Sequence, residues 1–293
     1  MKYVIKFILL LGVCIGEVAF VYSSNVKQKV SSIDFNHHAC ENIEIFCKAW
    51  GVLKYHHPQV LSGKYNWDDE FIRRISDILH CKNVNQRNKY ILQWIESLGE
   101  FETSSEKENG MRYDIKQHPD LSWINDGLGL KLKTKLEQIT KVKRDSVWNF
   151  YVNIYEGAAL EFTNEPIHEP YSYEDYKFNL LALSRYWNII HYFFPYKYLM
   201  DEDWNDVLKK FIPRVLKITT EQDYILFFNQ IRSCLSDFHS GTMHITNMRA
   251  AAERLQYVED NFIVSGFFKR TTPYFSPLHV GDKILSIARK DIP

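Results

Sequence analysis

His239 has the strongest claim to chemistry in this chain. It lies in Leu235-Ser236-Asp237-Phe238-His239-Ser240, where a helix-patterned stretch meets a β-patterned one. Clefts form at such junctions. An imidazole there can serve as a general base; it equally suits the negative end of a helix dipole. Ser240 follows directly, but adjacent side chains point apart on a strand and diverge by about 100° on a helix. The pair is therefore no ready nucleophile and base, because a serine needs a base within hydrogen-bond reach. His239 stands as the candidate catalytic residue, with no nucleophile assigned and no substrate-binding residue identified.

Other reactive groupings are thin. There is no Gly-x-Ser-x-Gly elbow, His-Glu-x-x-His, phosphate loop or Cys-x-x-Cys. Asp201-x-Asp203-x-Asn205 opens like a calcium loop, yet Asp206 and Ile212 stand where glycine and glutamate belong. Acidic residues at a helix start explain it better. No metal site and no cofactor is expected. A metal-dependent hydrolase would have only scattered histidines behind it. Cys40 and Cys47 are seven apart on one expected helix, roughly 10 Å, too far to bridge. Whether Cys81 and Cys234 pair is open.

Two stretches must position any site, and they are copies. Residues 48–79 slide onto residues 185–216 with one fixed offset of 137 and no gap. Trp50 meets Trp187, Tyr55 meets Tyr192, Pro58 meets Pro195 and Trp67 meets Trp204. An internal repeat dictates architecture. Upstream of each proline, Ile43, Phe46, Trp50, Leu53 and Leu180, Leu183, Trp187, Ile190 alternate by three and four, one face of a helix. The prolines stop that helix, a short polar loop follows, and Asn66 and Asp203 cap the next helix. A third helix, Tyr90–Leu98 and Tyr224–Leu235, completes each copy. His56-His57 align with Phe193-Phe194, so His57 fills a packing position.

Composition narrows the class. The chain has 293 residues, 45% of them hydrophobic, with 36 basic and 36 acidic residues. That is enough for two cored domains. Zero formal charge argues against nucleic acid as a partner. Lys2 and Lys6 precede an apolar run, Phe7–Gly16, too short to span a bilayer, so residues 1–23 read as an export signal. The expected location is the periplasm or cell surface; a lipid anchor at Cys14 is the minor alternative, and no transmembrane span is expected. Residues 24–39 read as a polar leader, 103–120 as a loop and 121–145 as an amphipathic helix. Trp148–Ile154 is β-rich, and Gly157–Pro170 reads as irregular. After residue 245 the pattern becomes β: Asn261–Phe268 reads as a strand, and Gly281-Asp282-Lys283-Ile284 as a turn feeding a second strand beside it.

Several of these segments together resemble the N-terminal half of the C-terminal processing serine peptidases, the tail-specific and tricorn-core relatives. The carrying residues are Lys48–Tyr55 with His57-Pro58, Gly63–Asp68, Phe162-Thr163-Asn164-Glu165, Arg185–Ile190 with Tyr192–Tyr198, Asp237-x-His239, and Val280–Leu285. The resemblance implies a mainly α N-terminal domain, residues 40–245, with repeats at 43–101 and 180–238. A partial PDZ-like β module, residues 246–293, then follows. It implies His239 as catalytic histidine, peptide or unfolded protein as substrate, and a nucleophile in a domain beyond residue 293. The expectation is a truncated, exported member of that family, inactive alone. The alternative is a non-catalytic exported module that binds peptide or protein.

Overall fold

The computed structural model describes residues 36–102, 118–142, 149–155, 160–166, 172–235, 237, 252–268, 276–287 and 290–291. The segment read as signal, and the polar leader up to residue 35, lie outside these, as does the Cys14 anchor. The described residues are mainly helical, with small antiparallel sheets. The chain divides into two compact units, Met1–Met243 and His244–Pro293. No helix among the described residues is long and apolar enough to cross a membrane.

In the first unit, helix α1 spans His37–His56, beginning inside the stretch expected to be leader, because Asn36 caps it by accepting from the Ala39 amide at 3.0 Å. Pro58 ends α1 as expected, but it also opens a short helix, α2 (Pro58–Leu61), where a polar loop was expected. Proline is well suited to a first helical position, since its missing N–H has no partner there anyway. Helices α3 (Trp67–Leu79) and α4 (Val84–Ser97) follow. A 3-10 turn, Asp126–Leu128, leads into α5 (Leu130–Thr140), whose Leu132, Leu136 and Ile139 are buried. A hairpin of two short strands pairs β1 (Val152–Ile154), inside the stretch expected to be β-rich, with β2 (Leu160–Phe162), inside the stretch expected to be irregular. The second copy is α6 (Tyr176–Phe193), α7 (Trp204–Val215) and α8 (Glu221–Ser233).

The 137-residue offset holds contact by contact. Trp50 Nε1 donates to Trp67 O at 3.0 Å, and Trp67 Nε1 donates back to Trp50 O at 3.1 Å. Trp187 and Trp204 repeat that reciprocal pair at 2.7 and 3.0 Å. All four indoles are buried. Helix ends match too: His57 and Phe194 take nearly the same extended conformation, and their amides donate to Leu53 O and Ile190 O, both at 3.0 Å. Asn66 and Asp203 cap the second helices; Asn83 and Thr220 cap the third.

The copies meet through equivalent residues. Asn188 Nδ2 donates to Ser184 O at 2.9 Å and to its counterpart, Cys47 O, at 3.1 Å. Gly51, the counterpart of Asn188, packs against it: a Cβ on Gly51 would stand 1.7 Å from Asn188 Oδ1. Tyr55 and Tyr192 touch, ring centroids 5.0 Å apart. Like meets like at three successive turns, so α1 and α6 lie side by side in the same direction, about a pseudo-two-fold axis.

In the second unit, β3 (Glu253–Val258) and β4 (Asn261–Phe267) form an antiparallel hairpin. Its turn residues Glu259 and Asp260 both have positive φ, 47° and 61°, as a two-residue hairpin turn that follows the strand twist requires. Strand β5 (Lys283–Ile284) pairs antiparallel with β4, Ile284 opposite Phe262. Gly281, with φ +98°, makes the turn into it. Strands β6 (Ser286–Ile287) and β7 (Lys290–Asp291) form a separate pair.

Candidate functional site

The first unit holds a cleft of about 460 Å³ between the start of α3 and the β1–β2 hairpin. Tyr65, Trp67, Phe150 and Tyr151 supply its rings; Asp68 and Glu165 supply its carboxylates. Gly63 packs its backbone on Phe150, where a Cβ would stand only 2.5 Å from the ring, and its φ of +74° also suits glycine alone.

Two cations, Lys54 and Arg185, stand behind these two carboxylates. Asp68 lies in the first turn of α3 and Lys54 in the last turn of α1, each at the helix end whose dipole favours it. Lys54, fully buried, donates to Glu165 Oε1. Its ammonium also sits over the rings of Tyr151 and Trp50, at 4.6 and 4.7 Å. Arg185, from α6, pairs with both Asp68 oxygens, its Nε 3.1 Å from Oδ1. The same Nε lies 3.1 Å from Glu165 Oε2, an ionic contact, since Oε2 accepts no hydrogen bond. Arg185 also donates to Pro166 O at 3.2 Å. Glu165 thus ties the hairpin to both copies of the repeat at once.

Burial shapes the titration of this cluster. It pushes Lys54 down to about 8, although Glu165 opposes the shift, and it lowers Arg185 to about 10. Burial, then Glu165, raises the Tyr151 phenol. The Lys54 shift carries a sign. Between pH 8 and the ordinary 10.5 the unfolded chain keeps a proton that the folded chain has released, so stability rises with pH in that window. The full effect is about 3 kcal/mol, opposed above pH 9 by the thiols, whose values burial raises, Cys47 to about 12, and above pH 10 by the buried tyrosines. The melting temperature of the wild type should rise between pH 8 and pH 9, and Lys54→Met should flatten the rise. Lys197, also lowered to about 8 by burial, accounts for what is left. Equal slopes in wild type and variant would remove Lys54 as the cause.

His239, the candidate catalytic residue from the sequence, lies outside the described residues. His57 is buried against Phe101, ring centroids 5.2 Å apart, and neither ring nitrogen has a hydrogen-bond partner among the described residues. It packs as its counterpart Phe194 does. Cys40, Cys47, Cys81 and Cys234 are all free thiols. No cluster of three or more histidine, cysteine or acidic side chains is placed to hold a metal among the described residues.

Lys54, Asp68, Glu165 and Arg185 each lie in a motif segment of the sequence, but none stood out as a site residue. One signal was available. Lys54 shares a buried helix with Trp50 and Leu53, and a charge among core positions needs a partner. The repeat also sets Lys54 against His191 and Asp68 against Asn205, so the charges belong to one copy only. Comparison with protein-family models, with curated proteins and with solved structures finds no match.

Proposed function

We propose that this chain is an exported peptide-handling module of the C-terminal processing serine peptidase type, binding peptide or unfolded protein without cutting it. Residues 246–293 are, in this reading, a PDZ-like segment. One observation carries the reading: four separate motif segments of the resemblance, those of Lys54, Asp68, Glu165 and Arg185, meet in one ion-pair cluster, and two of the four, Asp68 and Glu165, line the cleft. The cleft supports holding rather than cleaving. Its lining includes no serine, threonine or cysteine. Two carboxylates can form an acid–base pair, but here each is engaged by a resident cation.

The alternative, a binding module unrelated to any peptidase, uses the same cleft and differs only in lineage. A fluorophosphonate serine probe on the purified chain tests the absence of cleavage, beside a digest of casein. Less than stoichiometric labelling and intact casein are expected. Stoichiometric labelling that disappears in His239→Ala or Ser240→Ala would overturn the reading and restore His239 as a catalytic base.

A further inference from the structure

The four charges at the cleft neutralise one another. Asp68 is 2% exposed and both its oxygens face Arg185; the two oxygens of Glu165 face Lys54 and Arg185; the Lys54 side chain is fully buried. Neither Lys54 nor Arg185 lines the cleft, so a ligand carboxylate finds no cation in its wall. A ligand cation finds the two carboxylates already paired with resident cations. What the cleft offers an incoming chain is ring surface and amides.

Two of those amides are half-used. Asn66 Oδ1 caps α3 by accepting from the Asp69 amide at 3.3 Å, while its Nδ2 donates to nothing among the described residues. Asn164 Nδ2 donates to Phe150 O at 2.6 Å, while its Oδ1 accepts from nothing among them. Asn164 holds this pose at φ +55°, a left-handed backbone that asparagine tolerates better than most residues. The cleft wall thus presents one free donor and one free acceptor, flanked by the half-buried rings of Tyr65 and Phe150 and by exposed Pro166.

An extended main chain offers the matching acceptor and donor. In the polyproline conformation it makes no internal hydrogen bonds, and such chains dock on aromatic-lined grooves. We propose that the cleft reads an uncharged, proline- and aromatic-containing stretch of extended peptide, and that it is indifferent to charge and to a free chain end. This rests on the cleft being a peptide site. One peptide is expected per chain, because the second repeat does not reproduce the site: Glu202 and Asn205 stand where the cleft has Tyr65 and Asp68, and Asn205 donates instead to Asp120 at 2.8 Å.

The test uses the full chain and three fluorescent peptides of equal length, followed by anisotropy at about 0.05 M and 0.5 M salt. The first is rich in proline and tyrosine, uncharged, with both ends blocked. The second is the same peptide with a free carboxylate end. The third carries Lys and Glu in place of Pro and Tyr. The first two should bind equally, one per chain, with affinities that agree within about twofold at the two salt concentrations, because salt screens charge–charge interactions and none holds either peptide. The third should bind at least tenfold more weakly. Phe150→Ala should weaken the first peptide at least tenfold. Asn66→Asp keeps the cap, as Asp203 does for α7, and removes the free donor; it should weaken binding severalfold with an unchanged melting temperature. Binding that requires the free carboxylate, or that falls steeply with salt, would overturn charge indifference and leave the peptide site standing. Binding untouched by Phe150→Ala and Asn66→Asp, or no binding by any of the three, would overturn both.

Discussion

Trp187→Ala should remove about 3–5 kcal/mol of stability, a large share of the about 5–15 kcal/mol that a domain has. The indole is fully buried and holds three things in place. Its Nε1 donates to Trp204 O, and its own carbonyl accepts from Trp204 Nε1, so the truncation leaves one buried carbonyl unpaired beside a large void. His191 stacks on its ring at 4.4 Å, and the Lys48 ammonium stands 5.9 Å from its centre. Trp50→Ala should cost a similar amount, since its reciprocal bonds with Trp67 are the same. Urea midpoints measure both losses. An unchanged midpoint for either variant would mean that the paired tryptophans do not hold the helices together.

Acid should begin to destabilise the protein near pH 6.5, above the range in which ordinary carboxylates titrate. Burial pushes His191 down to about 3; Lys197 and Lys48 add to the shift, and Asp120 opposes it. Burial, then Lys135, pushes His57 down to about 4. Below the ordinary value of 6.5 the unfolded chain binds two protons that the folded chain refuses. Stability therefore falls as pH drops from 6.5 towards 4. The two shifts together amount to about 4–6 kcal/mol at pH 4. His57→Phe, which installs the residue found at Phe194, should remove close to half of that dependence. It should also raise stability at pH 7 by about 1–3 kcal/mol, because two buried nitrogens without partners disappear. Melting curves from pH 7 to pH 4 check both effects. A variant that keeps the wild-type slope would show that another group drives the acid transition.

The helices were legible because their signals are local and were present twice. Trp, Pro and the capping residues recur at one offset, and the observed caps and indole pairs fall on those positions. The strand entered after Gly281 was legible for the same local reason. Helix α2 was missed because proline both ends one helix and opens the next. Strand β2 was missed because three residues are too few to display an alternation. The cleft was beyond reach for a different reason. Lys54 and Glu165 are 111 residues apart, and Arg185 and Asp68 are 117 apart. Hydrophobic periodicity reports which face of an element is buried; it does not report which distant charge will face it.

Gly51 and Asn188 occupy the same position in the two copies, and they touch. The space that Asn188 fills exists only because Gly51 has no side chain. If the copies descend from one ancestral segment, that segment could not have met itself there with asparagine on both sides without a clash, nor with glycine on both sides without a gap. The two positions are thus no longer free to drift separately. A larger residue at 51 has to be answered by a smaller one at 188, so two sites 137 residues apart in the chain answer to a single steric constraint.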